Sequence, residues 1–171
     1  MRALVTGSGV RIGAAIGRAL ATSGFEVVLH CNRSRAAAED LATELVDSGH
    51  AAAVISADLS TPAGCRDLAA QAGPIDVLVN NAGVFAAAPF ATLTLQQWDT
   101  MQAINCRAPF LLSQALLPSL QRSTLAGGGA IINIGDISGT RPVAGYAHYV
   151  VSKAGLLMLT KASSSELIDI F

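Results

Sequence analysis

Tyr149 and Lys153 stand four positions apart in Tyr149-Val150-Val151-Ser152-Lys153, the pair in this sequence best suited to moving a proton. On a helix that spacing sets a phenol and an ammonium on one face, one turn apart. There the ammonium can hold the phenol ready to give or take a proton, as a general acid does in carbonyl or imine reduction. Asp136, thirteen residues before Tyr149, adds a carboxyl to the set. A carboxyl beside a phenol can hand on a second proton, or grip an amino-pyrimidine edge through paired hydrogen bonds. A Tyr and a Lys at this spacing also occur as a surface pair, so their meaning depends on a cofactor site elsewhere in the chain.

Such a site is legible at the other end. Thr6-Gly7-Ser8-Gly9-Val10-Arg11-Ile12-Gly13 joins an apolar run to a helical pattern. Glycines let the backbone turn tightly and approach a diphosphate, and the helix N-terminus offers free N–H groups to it. The order strand, glycine turn, helix separates this from a bare glycine pattern, for which a plain tight turn is the alternative. After the second apolar run comes His30-Cys31-Asn32-Arg33-Ser34, which carries no carboxylate. A site selecting NAD places Asp or Glu there for the ribose hydroxyls. Arg33 and Ser34 instead suit a 2′-phosphate, through a charge-assisted fork and a hydroxyl. The expected cofactor is NADPH; the alternative is that Arg33 is a solvated loop cation.

The elements that must position these groups follow from short apolar runs alternating with amphipathic stretches, the pattern of a parallel sheet covered by helices. Strands are predicted at 2–6, 25–30, 51–56, 75–80 and 130–135, and helices at 12–23 and 36–48. Pro62 after Thr61 suits the first turn of a short helix. Thr94-Leu95-Gln96-Gln97 reads as a capping box opening a long helix toward Gln121, kinked or restarted at Pro109. A last helix begins near Tyr146 or Tyr149. The expected fold class is α/β, a three-layer doubly wound parallel sheet of Rossmann-like type, forming one NADP-binding domain over residues 1–171. Ligand belongs at the carboxyl ends of its strands.

Composition excludes several classes. Of 171 residues 51% are hydrophobic and 13% charged, with net charge −1; this leaves no electrostatic footprint for nucleic acid or an anionic membrane. No apolar run approaches the roughly eighteen residues of a membrane span. Gly7, Ser8 and Gly9 interrupt the first apolar stretch too early for a signal peptide. Cys31, Cys65 and Cys106 are odd in number and scattered, and read as reduced thiols of a cytoplasmic protein. His30, His50 and His148 lack metal-ligand spacing, so no metal is expected.

Taken in order, the motifs resemble the short-chain dehydrogenase/reductase family. They are T-G-x-x-x-G-I-G with Arg11 for its middle glycine, Asp58-Leu59-Ser60, Asn80-Asn81-Ala82-Gly83, Asn105, and Tyr149 with Lys153. The likeness runs from Ala3 to about Thr160. It implies Gly7, Arg11, Ile12 and Gly13 at the diphosphate, and Asn32, Arg33 and Ser34 at the adenosine phosphate. Asp58 would accept from the adenine amino group, with Leu59 lining that pocket and Asn81, Ala82 and Gly83 along the ribose. Tyr149 and Lys153 would bind the nicotinamide ribose as well as act in catalysis. Lys153 would lower the phenol pKa, and Asn105 would hold a water linking Lys153 to solvent.

Most members have Ser where Asp136 stands. Asp136 together with Arg11 resembles the pteridine reductase branch, and the stretch from Asp136 to Tyr146 its bacterial members. That branch implies hydride transfer from NADPH to a C=N carbon of a dihydropterin such as dihydrobiopterin, with Tyr149 and Asp136 as proton donors. Phe85 would stack on the pterin, and Arg11, Asp136 and Tyr149 would touch it. Gly83 departs from the branch, which often has Ser there. Tyr146 is expected to line the substrate pocket, His148 to be a bystander, and Ser138 to have the wrong spacing to replace the family's serine. Two alternatives stay open. One is a ketone or 3-oxoacyl reductase on the same scaffold, which Asp136 speaks against; the other is an inactive nucleotide-binding fragment. The resemblance also implies two more strands and a substrate-covering lobe after the Tyr–Lys helix. The expectation is therefore a chain incomplete at its C-terminus, with an open edge on the fifth strand. A homodimer or homotetramer through the two long helices is expected if folding is complete.

Overall fold

The computed structural model describes residues 1–167; residues 168–171 lie outside the described residues. Five strands, β1 (Arg2–Val5), β2 (Glu26–Cys31), β3 (Ala52–Ser56), β4 (Val77–Asn80) and β5 (Ala130–Asn133), form one sheet in the order β3-β2-β1-β4-β5. Every pairing is parallel. After β3 the chain returns to the far side of β1, so the order reverses at β1. At such a reversal the connections leave in opposite directions and open a crevice beyond the carboxyl ends of the strands. Among the described residues β5 pairs on one side only.

Helices α1 (Arg11–Thr22), α2 (Arg35–Asp47), α3 (Pro62–Ala72), α4 (Leu95–Gln102), α5 (Ala108–Leu120) and α6 (Ala147–Leu167) connect or follow the strands. Alternation along β1 divides the core. Leu4 joins Val28, Leu78 and the α3 and α5 leucines Leu68, Leu112 and Leu116 on one face. Ala3 and Val5 join Val27, Leu29, Leu41 and Leu45 under α1 and α2 on the other. Successive strand residues point to opposite faces, and each leucine so buried contributes about 1.5–3 kcal/mol.

The start signals read from sequence appear as bonds. Thr61 Oγ1 accepts from Gly64 N at 3.0 Å, with Pro62 opening α3. Thr94 Oγ1 accepts from Gln97 N at 3.2 Å while Gln97 Oε1 accepts from Thr94 N at 2.9 Å, a reciprocal capping box. The break expected near Pro109 takes the form of a π-turn, Ala103–Arg107, between α4 and α5. β1 and β3 are one residue shorter than predicted, and β4 and β5 are two residues shorter. β4 begins at Val77 because Asp76 clasps Arg2: Arg2 N donates to Asp76 Oδ2 at 2.7 Å and Asp76 N to Arg2 O at 2.8 Å. β5 ends at Asn133, where the Ile134 carbonyl turns to receive Lys153.

Candidate active site

The ends of β1, β4 and β5 deliver three loops to one cleft of about 1010 Å³. Thr6 joins the first two. Its hydroxyl donates to Val79 O at 3.2 Å and accepts from Asn81 N at 3.0 Å and Ala82 N at 2.9 Å. Asn81 Nδ2 returns bonds to Thr6 O at 2.8 Å and Gly7 O at 3.0 Å. Gly7 sits at φ +64° with Ala82 Cα 2.8 Å from where a Cβ would lie. A Cβ on Gly13 would fall 2.2 Å from Gly7 O and 2.5 Å from Asn81 Nδ2. Only glycines let the turn, the loop after β4 and the start of α1 close together here.

That closed turn leaves the N-terminus of α1 open. No side chain caps Val10, and the first turn holds no acidic residue. Its N–H groups lack intrahelical partners, and the helix dipole adds partial positive charge, which suits a diphosphate. Arg11 and Arg33 make no ion pair among the described residues. At the far end, Asp58 Oδ1 accepts from Ser60 N at 2.9 Å. That bond is the main reason its carboxyl lies below the usual range, and Arg33 adds to it by charge.

At the near end the proton-bearing groups converge. Tyr149, 7% exposed, donates its hydroxyl to Asp136 Oδ2 at 2.8 Å. Asp136 Oδ1 accepts from Ser138 N at 2.7 Å. Ser138 Oγ is buried without a partner in hydrogen-bonding geometry, yet lies near enough for its dipole to act on the carboxylate. Ser138 and then the Tyr149 hydroxyl hold Asp136 below its ordinary pKa. Asp136 is thus an acceptor at neutral pH, and this corrects the expectation that it donates a proton beside Tyr149. The phenol moves the other way. Burial first, and then the Asp136 carboxylate, push Tyr149 up to about 12.

Lys153 also departs from expectation. Its ammonium donates to Ile134 O at 2.7 Å, and burial lowers its pKa against the pull of Asp136. Its hydrogen bond among the described residues goes to a backbone carbonyl, and the Tyr149 phenol is raised where a depression by Lys153 had been expected. Asn105, 1% exposed in the π-turn, is not on the cleft wall. Its Oδ1 accepts from Val84 N at 2.8 Å and its Nδ2 donates to Val84 O and Ser152 Oγ, both at 3.0 Å. The amide ties the loop after β4 to α6, where a water link had been expected. π-turns often occur at functional sites, and this one turns a buried amide inward.

Phe85, 65% exposed, stacks on Tyr146 at 4.5 Å between ring centroids and meets Tyr149 edge-on at 4.7 Å. Tyr146 therefore backs Phe85 and does not itself line the cleft. His148, expected as a bystander, is buried on the cleft wall, its carbonyl accepting from Gln102 Nε2 at 2.8 Å. It lies in the first turn of α6, where packing against α4 directs it inward. Every other side chain singled out in sequence for cofactor, substrate or chemistry borders this one cleft. Sequence reasoning missed Ser152 and His30. The first had no signal beyond its place between Tyr149 and Lys153, and the second none at all.

The short chain dehydrogenase profile matches residues 1–169. D-threitol dehydrogenase of Mycolicibacterium smegmatis is 38% identical over 168 residues, covering 96% of this chain and 63% of that protein. The rhamnolipids biosynthesis 3-oxoacyl-[acyl-carrier-protein] reductase of Pseudomonas aeruginosa is also 38% identical, over 97% of this chain and 66% of its own. The crystal structure of FolM alternative dihydrofolate reductase 1 from Brucella canis, complexed with NADP, superposes with a TM-score of 0.89. It is 34% identical, over 97% of this chain and 66% of that one. This chain thus spans somewhat less than two thirds of the length of these relatives. A parallel sheet reversing at β1, a glycine turn packed on the loop after β4, and sequence agreement along nearly the whole chain have one common explanation: it belongs to the short-chain dehydrogenase/reductase family.

Proposed function

We propose that this chain is the NADPH-binding part of a pteridine reductase, reducing a dihydropterin such as dihydrobiopterin to its tetrahydro form. The observation that carries the reading is Asp136: an ionised carboxylate, bonded at 2.8 Å to the hydroxyl of Tyr149, whose ring meets the exposed Phe85 edge-on. When bound, NADPH supplies the hydride. Gly7, Ile12 and Gly13 with the Arg11 side chain hold the diphosphate, and Asn32, Arg33 and Ser34 the 2′-phosphate. Asp58 and Leu59 take the adenine, and Asn81, Ala82 and Gly83 border the ribose.

A carboxylate has about four acceptor sites. Ser138 N and the Tyr149 hydroxyl occupy one on each oxygen of Asp136, which leaves room for two N–H groups of an amino-pyrimidine edge. Phe85, held flat by Tyr146, is a stacking surface for a heteroaromatic ring. Tyr149 stays protonated through neutral pH and gives its proton to the reduced nitrogen. Lys153 has three N–H donors, one of them on Ile134 O, and the others are free for ribose hydroxyls. Asn105 acts by fixing the loop against α6.

The B. canis FolM neighbour supports this reading, and the P. aeruginosa 3-oxoacyl reductase supports the alternative of a ketone or 3-oxoacyl reductase. Against that alternative, a carboxylate in the place of the carbonyl-gripping serine repels a developing oxyanion. Steady-state assay with NADPH and dihydrobiopterin, beside a ketone panel, separates the two; turnover of ketones without pterin reduction rejects our reading. The inactive nucleotide-binding fragment predicts no turnover of either, with a thermal transition that NADPH still raises. Exposed Phe110, Val151 and Met158 on α5 and α6 support pairing of the chain through those helices, which sedimentation measures. Cys31, Cys65 and Cys106 are free thiols, in keeping with a reducing compartment.

Two substitutions test the cofactor contacts. Arg33→Glu is expected to weaken NADPH binding by about tenfold or more, the loss of one charged hydrogen bond plus new repulsion, with NADH little changed. Equal losses for the two cofactors in a fluorescence titration would contradict the 2′-phosphate role. Arg11 holds φ +54°, a left-handed conformation costing a side-chain-bearing residue about 1–2 kcal/mol. Glycine relieves that strain but adds about 0.5–1 kcal/mol of entropy in the unfolded chain. Arg11→Gly should therefore keep or slightly raise the melting temperature while weakening NADPH several-fold. A lower melting temperature with unchanged affinity would show that the guanidinium serves the fold and not the ligand.

A further inference from the structure

We propose that His30 is a positioning residue for the dinucleotide cleft: its imidazole, oriented by a bond to the end of β3, presents the acceptor that holds the Gly7 turn in place. The inference rests on the reading of the Gly7 turn as a diphosphate cradle. His30 is 2% exposed at the end of β2. Gly7 N donates to its Nδ1 at 3.2 Å, and its Nε2 lies 3.1 Å from Ala57 O. A carbonyl only accepts and an N–H only donates, so the proton belongs on Nε2 and Nδ1 must be bare. Burial lowers the pKa of the ring and favours this uncharged form.

The backbone of His30 holds the same turn. Its carbonyl accepts from Ser8 N at 2.9 Å and from Ser8 Oγ at 3.2 Å. Three donors of the turn thus end on one residue, and those at the uncapped start of α1 are left for an anion. Ala57 stands next to Asp58 and Leu59, which border the opposite part of the cleft. The Ala57 bond therefore orients the ring, and the bare nitrogen of the ring holds the diphosphate turn. Neither nitrogen needs to touch the cofactor for this.

Asparagine and glutamine divide the two bonds. Asn carries its Oδ1 where Nδ1 lies and keeps the acceptor for Gly7; Gln carries its Nε2 where the imidazole Nε2 lies and keeps the donor to Ala57. The test is NADPH titration of the full chain with His30→Asn and His30→Gln, together with melting temperatures and Gly7 amide exchange. His30→Asn should stay within about threefold of the parent affinity, and His30→Gln should fall by about tenfold, the worth of one lost buried hydrogen bond. Gly7 exchange should quicken only in His30→Gln, although both variants melt earlier. Equal weakening that tracks melting temperature would reduce His30 to a core residue and overturn the proposal. So would ¹⁵N spectra of the parent chain showing the imidazole proton on Nδ1, a measurement that needs no variant to fold. A parent chain that binds no NADPH removes the dinucleotide reading itself, whereas equal Gly7 exchange in the two variants removes the bond.

Discussion

Asp136→Ala should cost about two to three powers of ten in kcat/KM for a dihydropterin, the scale of losing a positioned polar group in the transition state, while NADPH binds as before. The carboxylate bonds Ser138 and Tyr149, and among the described residues it makes no hydrogen bond to the turn of Gly7 to Gly13. The substitution also separates the roles of acid and anchor. Tyr149 is held near 12 by burial and then by this carboxylate, so removing Asp136 lowers the phenol pKa part of the way toward 10.0. A more acidic phenol would by itself favour proton donation. Loss of turnover together with a lowered phenolate titration therefore assigns Asp136 to gripping the substrate. Retained pterin turnover would show that the amino-pyrimidine edge is not held there.

The same titration affects stability. Because its pKa is raised, folded Tyr149 keeps its proton at a pH where the unfolded chain releases it. Its contribution is complete below pH 10 and is lost as pH rises toward about 12. Alkaline melting curves should show that loss in the parent chain and less of it in Asp136→Ala.

Gly13→Ala is expected to abolish NADPH binding and lower the melting temperature by roughly 3–10 °C, the equivalent of about 1–3 kcal/mol of overpacking. The added methyl would lie 2.2 Å from Gly7 O, a backbone atom that cannot turn aside as a flexible side chain does. To admit it, α1 must move away from the turn, and the free N–H groups move with it. Gly83→Ser is the control. Its Cβ would meet Asn105 Oδ1 at 3.4 Å and Lys153 Nζ at 4.0 Å, ordinary contacts, and it should fold and bind NADPH normally. Calorimetry and fluorescence titration on the pair decide whether close packing at residue 13 or glycine content in general governs this site. Matching losses in both variants would favour the latter.

Local chemistry made much of this protein legible from its residues in order. Apolar runs and start signals such as Thr94 with Gln97 act over a few positions, so the five strands and their helices were readable within a residue or two. The spacing of Tyr149 and Lys153, and the glycines at 7 and 13, are likewise features of one turn each. What needed the tertiary structure was the direction in which polar atoms point once strands far apart in sequence are brought together. Lys153 reaches the Ile134 carbonyl, Asn105 bonds Val84 and Ser152, and His30 accepts from Gly7 because packing of the sheet and its helices places these groups side by side. The same assembly decided that Asp136 is the acceptor and Tyr149 the proton holder. Which of two neighbouring acids keeps its proton depends on burial and on the donors around it, and a linear sequence names those donors without saying which ones meet.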